Sequence, residues 1–172
     1  MNIFSSTRIS NTSLAGALFI VLGLFGELSS AATWIDTPIG LVGLGCVAGA
    51  LSVSGLTTKC SSTNRAISLA FVLVALWAAV NLAHTESVMG QVSGGYWCFV
   101  IALALAIWTT MSRFAAITPT PGVGAFLYQF LVPGLFGVWL IVLWELITVG
   151  LGIPRVLLPP PSLVGEAIAS SL

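Results

Sequence analysis

The side chains that could do chemistry are few and widely spaced. His84 is the one histidine, and Glu86 follows it two residues later. A histidine beside a carboxylate can bind a metal ion or relay a proton, but an interfacial polar pair is the favoured interpretation. The three cysteines, Cys46, Cys60 and Cys98, form no CxxC pair. Neither a disulfide framework nor a thiolate metal site is therefore indicated.

Glu145 is the most informative acidic residue, because it lies within the apolar stretch Leu143-Trp144-Glu145-Leu146. An ionisable group at the centre of a membrane span costs about 2.5–3.5 kcal/mol or more, so its side chain should face protein or water. Two interpretations stay open. Glu145 forms an intramembrane polar contact, as a pathway residue or an anchor to a partner helix, or it lies close enough to the outer interface to be hydrated.

Composition identifies the class of protein. The 172 residues include five basic and five acidic side chains, 6% in all, against about 25% in a typical soluble domain. Hydrophobic residues make up 58%, and the mean hydropathy is +1.10. These values exclude an ordinary soluble enzyme, a nucleic-acid binder and a disordered chain. An integral membrane protein remains, with membrane lipid as its first partner.

The charged residues divide the chain into lengths that suit membrane helices, which need about 20 apolar residues each. The runs are continuous, unlike the alternating strands of a membrane barrel, so we predict an all-α polytopic membrane protein. The predicted spans cover residues 14–32, 37–56, 66–84, 95–112 and 129–150. A Gly-rich phosphate loop after a strand is absent from the sequence, so we expect no enzyme activity, catalytic residue or cofactor.

The basic residues predict the orientation of the spans. If the spans alternate, four of the five basic residues fall on one side, which the positive-inside rule assigns to the cytoplasm. The N-terminus is then cytoplasmic, in a bacterial inner membrane. These four are Arg8, Lys59, Arg65 and Arg113, whereas Asp36, Glu86 and Arg155 fall on the other side.

Glycines in the second span predict a helix-packing face. Gly45 and Gly49 are four residues apart, a spacing that lets two membrane helices approach closely. Packing inside this bundle is favoured over a docking face for a partner subunit, because glycine is common in membrane helices.

The C-terminal third has a different character. Residues 115–128 are rich in Pro and Gly and predict a cytoplasmic loop between a four-helix N-terminal bundle, 1–114, and a last part, 129–172. Pro133 is expected in the first turn of the fifth span. Three prolines then precede Ser162, a predicted N-cap, and a short amphipathic helix on the periplasmic surface.

This last part resembles the start of an ABC importer permease of the nitrate/sulfonate/taurine type, over about residues 130–172. Those permeases open with a helix ending in Trp-Glu, followed by a Gly-x-x-Pro turn and a Leu-Pro-Ser-Pro-Ser-x-x-Val-like passage into a periplasmic helix. Pro160 stands where the family has Ser or Thr, and one residue rather than two separates Gly152 from Pro154 and Ser162 from Val164. The matching segments are Leu143-Trp144-Glu145-Leu146, Gly152-Ile153-Pro154 and Leu157-Leu158-Pro159-Pro160-Pro161-Ser162-Leu163-Val164, with Ala167.

The resemblance implies import of a small anionic solute such as nitrate, sulfonate or taurine by alternating access. Separate ATPase subunits and a periplasmic binding protein would be partners. Family members continue with further spans and a Glu-Ala-Ala coupling segment, and this sequence stops at Leu172 before them. We therefore expect either the N-terminal part of a longer permease or a truncated relative, unable to couple to ATP hydrolysis alone.

Two other functions stay open. The scarcity of polar groups and the glycine-rich helix faces also suit a non-catalytic accessory or structural subunit of a larger membrane complex, such as a photosynthetic or respiratory assembly, where other membrane subunits would be its partners. A small proton-linked carrier is a weaker alternative, because Glu145 is the one plausible intramembrane acid.

Overall fold

The computed structural model describes residues 11–56, 62–116 and 123–171. Six helices and no strands lie in these ranges, with a single antiparallel bridge between Ser29 and Val92. The all-α prediction is therefore confirmed for the described part of the chain. The helices are α1 (Asn11–Phe25), α2 (Pro38–Leu56), α3 (Ser62–Ala83), α4 (Gly94–Ala115), α5 (Val123–Gly150) and α6 (Pro161–Ser170).

Three of these helices are long and apolar enough to cross a membrane. They are Ser62–Ala83, Gly94–Ala115 and the Gln129–Gly150 part of α5. Thr12–Phe25 and Pro38–Ser54 are apolar but shorter. The helices thus agree with a helical membrane protein, while the number of five spans stays a prediction.

The first predicted span is wrong in its extent, because α1 ends at Phe25 rather than at residue 32. The indole N–H of Trp34 donates to the carbonyl oxygens of Gly23 and Gly26, at 2.7 and 3.1 Å. The Ser29 hydroxyl then accepts the N–H of Ala32 at 2.9 Å. These side chains satisfy the backbone groups that a longer helix would have used.

The core of the bundle lies where α1–α4 meet, with α2 packed mainly on α3 and α1 mainly on α4. α4 supplies the largest fully buried rings, and Phe99 stacks edge-on against Trp34 at 5.8 Å between ring centroids. Side chains in such a core cannot move far without leaving voids. The most deeply buried of them include Tyr96, Phe99, Leu103, Leu82 and Val72.

Two backbone segments approach closely at the start of α4, at a glycine that the sequence did not single out. Gly95 donates its N–H to the Glu27 carbonyl at 3.1 Å. A Cβ at Gly95 would lie 2.5 Å from that same oxygen and 2.9 Å from the Gly26 oxygen. Only a residue without a side chain fits there.

The two glycines predicted to form a packing face have different surroundings. A Cβ at Gly49 would lie 3.1 Å from the ring of Phe71 on α3. The absence of a side chain at Gly49 therefore leaves room for this ring. Gly45 is exposed and has no atom within 4 Å of the corresponding position. Of the two Cβ positions, only that of Gly49 faces a side chain of a neighbouring helix in the described part of the chain.

The helices alternate in direction, so the charges segregate to opposite ends of the bundle. We call the end where α1, α3 and α5 finish the acidic end, and the end where α2 and α4 finish the basic end. The basic end carries Arg65 and Arg113, and the acidic end also carries Arg155. All five acidic residues of the chain lie at the acidic end: Glu27, Asp36, Glu86, Glu145 and Glu166.

Asp36 belongs to the turn that precedes α2 at the acidic end. The hydroxyl of Thr33 donates to the Asp36 carboxylate at 2.7 Å, and the Thr33 N–H donates to the same oxygen at 3.2 Å. Both bonds favour the ionised form and hold the pKa of Asp36 below its ordinary value.

The helix α5 begins earlier than predicted. It starts at Val123, so residues 123–128 are helical rather than part of a loop, while residues 117–122 lie outside the described residues. Pro133 therefore lies inside α5 and not in its first turn. No proline occurs between Pro121 and Pro133, so nothing in that stretch prevents a helix from starting at Val123.

Candidate functional site

One buried carboxylate joins three parts of the chain at the acidic end. Glu145 lies near the end of α5 and is 4% exposed. Its Oε1 lies 2.7 Å from Nε2 of His84 and accepts the Ser162 hydroxyl at 2.8 Å. Its Oε2 accepts the Ser162 N–H at 3.0 Å. Glu145 therefore connects α5 both to the turn after α3 and to α6.

The histidine contact differs from the prediction. The partner of His84 is Glu145 rather than Glu86. His84 follows the last residue of α3, and its N–H still donates to Val80 O at 3.2 Å. Because α3 and α5 both finish at the acidic end, the imidazole reaches the neighbouring helix instead of its own turn.

Glu145 also caps α6, where the sequence predicted Ser162 as the N-cap. The N-cap is Pro160, and α6 begins at Pro161. A proline side chain offers no acceptor for the unpaired N–H groups of the first turn. The Glu145 side chain accepts the Ser162 N–H in its place, at the positive end of the helix dipole.

The end of α5 reverses direction through a Schellman motif, which explains why Gly152 and Pro154 occur here. Gly152 has φ +61°, and its N–H donates to Val149 O at 3.1 Å. The Ile153 N–H donates to Thr148 O at 3.0 Å. A positive φ favours glycine, and the proline that follows cannot continue the helix. The chain is thereby turned back toward Glu145.

Two further bonds fix the end of α5 to the bundle. Gly90, with φ +69°, donates its N–H to Val149 O at 3.2 Å. The hydroxyl of the fully buried Tyr96 donates to Leu146 O at 3.2 Å. The position of the Glu145 carboxylate is therefore set by the connection between α3 and α4 as well as by α5 itself.

A cleft of about 570 Å³ opens beside this carboxylate. His84 and Ser162 line it together with Arg155 and Glu166, so both signs of charge border the same space. The described residues contain no group of three or more His, Cys, Asp or Glu side chains that could hold a metal ion.

The remaining predicted residues lie away from this site. Cys46 and Cys98 are half-buried free thiols on α2 and α4, and Cys60 lies outside the described residues. The role of Ser162 as a double donor to Glu145 was missed. The His84–Glu145 contact was missed as well, although the sequence held a signal for it, because spans three and five end on the same side of an alternating bundle.

Comparisons of the chain with protein-family models, with curated proteins and with solved structures found no match. The permease resemblance therefore rests on residues between 143 and 167, and it stays a prediction.

Proposed function

We propose that this chain is an integral membrane part of an ABC-type importer permease, in which α5 is the first permease helix. The observation that carries the proposal is the double hydrogen bond from Ser162 to Glu145. Glu145 belongs to the Trp-Glu pair of the resemblance, and Ser162 to its proline-rich passage. These two parts of the motif are separate in sequence but contact each other in the fold. The hydrogen bonds between them explain why they occur at this spacing in the sequence.

The geometry suits a helix that must move as one unit with the surface helix that follows it. A carboxylate that accepts two bonds from one residue fixes both distance and direction. The acidic end of α5, the proline-rich passage that follows it and α6 would then keep a fixed orientation relative to one another during alternating access. In this role the residues of the chain supply structure, separate ATPase subunits supply energy, and a binding protein delivers a small anionic solute.

The proposed topology has five spans, with the basic end in the cytoplasm. Its support is the segregation of charge, because Arg65 and Arg113 lie at one end and every acidic side chain at the other.

A thiol label tests this topology through Cys60, between spans two and three. A membrane-impermeant maleimide should label Cys60 in inside-out vesicles and leave it unlabelled in intact spheroplasts. A Cys60→Ser variant controls for reaction at Cys46 or Cys98. Labelling of Cys60 from the periplasmic side would refute the orientation.

The exposed apolar side chains of α5 must be buried by lipid or by another protein segment. Tyr96 and the α3–α4 connection hold α5 at its acidic end, while its other half carries exposed aromatic and aliphatic side chains. Lipid, further permease spans or other membrane subunits would bury them. The exposed side chains include Phe126, Phe130, Phe136, Val138, Leu140 and Ile141.

The same exposed face favours the second candidate function, an accessory subunit of a larger membrane complex. The composition of the native assembly distinguishes the two. We expect an affinity-tagged chain, solubilised gently from its own membrane, to purify with an ATPase subunit that carries a phosphate-binding loop. Stoichiometric pigment-binding or electron-transfer subunits without any ATPase would contradict the permease proposal and support the accessory role.

A further inference from the structure

A second cleft lies at the basic end, where α1 begins and where α2 and α4 finish. It has a volume of about 250 Å³, and its walls carry five hydroxyl side chains, one indole and one guanidinium. No acidic residue lines it. This cleft is at the opposite end of the bundle from Glu145 and takes no part in the site described above.

Ser13 gives this cleft an unused donor. Its side chain is 6% exposed, and its hydroxyl has no hydrogen-bond partner among the residues that the structure describes. The neighbouring hydroxyls differ, since Ser112 donates to Trp108 O at 2.8 Å and Ser54 to Leu51 O at 2.9 Å. A buried O–H group without an acceptor is costly, so an acceptor from outside the chain would stabilise it.

Arg113 supplies the positive charge. Its guanidinium donates to the carbonyl oxygens of Val53 and Ser54, at the end of α2. These oxygens carry partial charge only. All five carboxylate side chains lie at the acidic end, so the side chains that line this cleft carry a positive charge and no negative one. The guanidinium group is well matched to phosphate oxygens.

Trp108 indicates the depth of the cleft in the membrane. It lines the cleft, lies in the last part of α4 and is 64% exposed. An exposed tryptophan near the end of a membrane helix is typical of the headgroup region. A ligand in the cleft would therefore have its charged group at headgroup level and its apolar part beside the helices.

We propose that this cleft binds the phosphodiester group of an anionic phospholipid. The Ser13 hydroxyl donates to a phosphate oxygen, Arg113 offsets the negative charge, and Trp108 contacts the glycerol and upper acyl chain. Juxtamembrane cations attract anionic lipids in general, but Ser13 makes this site specific because its donor is buried and has no partner among the described residues.

Lipid titration of the purified full chain, read by native mass spectrometry, tests the proposal. Phosphatidylglycerol should bind about tenfold or more tighter than phosphatidylcholine, with one preferred molecule per chain. Ser13→Ala should lower the phosphatidylglycerol affinity by roughly tenfold to 100-fold, as expected for loss of one bond to a charged group. Arg113→Gln should abolish the preference between the two lipids.

Ser112→Ala is the matched control, because it removes a hydroxyl from the same cleft whose hydrogen is already donated to Trp108 O. It should leave the phosphatidylglycerol affinity unchanged, and the melting temperatures of the serine variants should match that of the unsubstituted protein. Equal affinity for the two lipids, or no loss of affinity in Ser13→Ala, would overturn the proposal. Displacement of the lipid by millimolar inorganic phosphate would also overturn it, by showing a site for the soluble anion.

Discussion

Replacing Glu145 by alanine should release α6 from α5. The substitution removes the acceptor of two Ser162 bonds and of the His84 contact. α6 has only ten residues and no buried side chain, and isolated helices shorter than about 12 residues are marginal in water. We expect the free energy of opening α6 to fall by about 3 kcal/mol. This value combines the loss of a hydrogen bond to a charged group with the cost of leaving a donor unpaired.

Hydrogen–deuterium exchange measures this opening directly. At about 1.4 kcal/mol per factor of ten, amide exchange in α6 should accelerate by roughly 100-fold in Glu145→Ala. Exchange within α3 and α4 should change little. Glu145→Gln should have a smaller effect, because its amide keeps one acceptor oxygen.

The control is Glu166→Gln, which alters an exposed acid of α6 beside the same cleft. It should leave exchange in α6 within about a factor of two, as surface substitutions usually do. An unchanged exchange rate at the Ser162 amide in Glu145→Ala would show that the carboxylate does not cap α6.

Replacing Gly95 by alanine should destabilise the whole bundle. The new Cβ would lie 2.5 Å from the Glu27 oxygen and 2.9 Å from the Gly26 oxygen. Both atoms belong to the backbone, so no side chain can rotate away. The start of α4 would have to separate from the end of α1, and we expect a loss of about 3 kcal/mol in the free energy of unfolding.

Gly94 provides a control one residue away, since a Cβ there would meet no atom within 4 Å. Gly94→Ala should change the free energy of unfolding by less than about 0.5 kcal/mol. Both variants can be compared by denaturant titration in detergent micelles, with tryptophan fluorescence as the readout. Equal stability of the two variants would mean that α1 and α4 do not approach as closely as the structure places them.

Hydropathy and charge predicted most of the helices because both act locally. A run of apolar residues bounded by charges locates α2, α3 and α4 within a few residues at each end. The end of α1 was placed wrongly because it depends on Trp34, whose indole donates to Gly23 and Gly26. Residues 26–32 include the polar Glu27, Ser29 and Ser30 but no proline, so the sequence alone did not mark the end of the helix at Phe25.

The site was harder to predict because its contacts are distant in sequence. Glu145 was identified as important from its cost in a membrane, but its partners are 61 residues before it and 17 residues after it. Glu86 is the nearer carboxylate in sequence to His84, and sequence proximity favoured the wrong pair. The Schellman turn at Gly152 and the missing cap at Pro160 together bring Ser162 to Glu145, and neither effect can be read from hydropathy.

ATP-driven uptake is the most direct test of the proposed function. The native assembly that contains this chain would be reconstituted into proteoliposomes with its binding protein, and accumulation of radiolabelled nitrate, taurine and an alkanesulfonate would be measured. The permease account predicts ATP-dependent accumulation of at least one of these anions, abolished when the ATPase is inactivated. ATP hydrolysis without accumulation of any of the three, or an assembly that contains no ATPase, would contradict it.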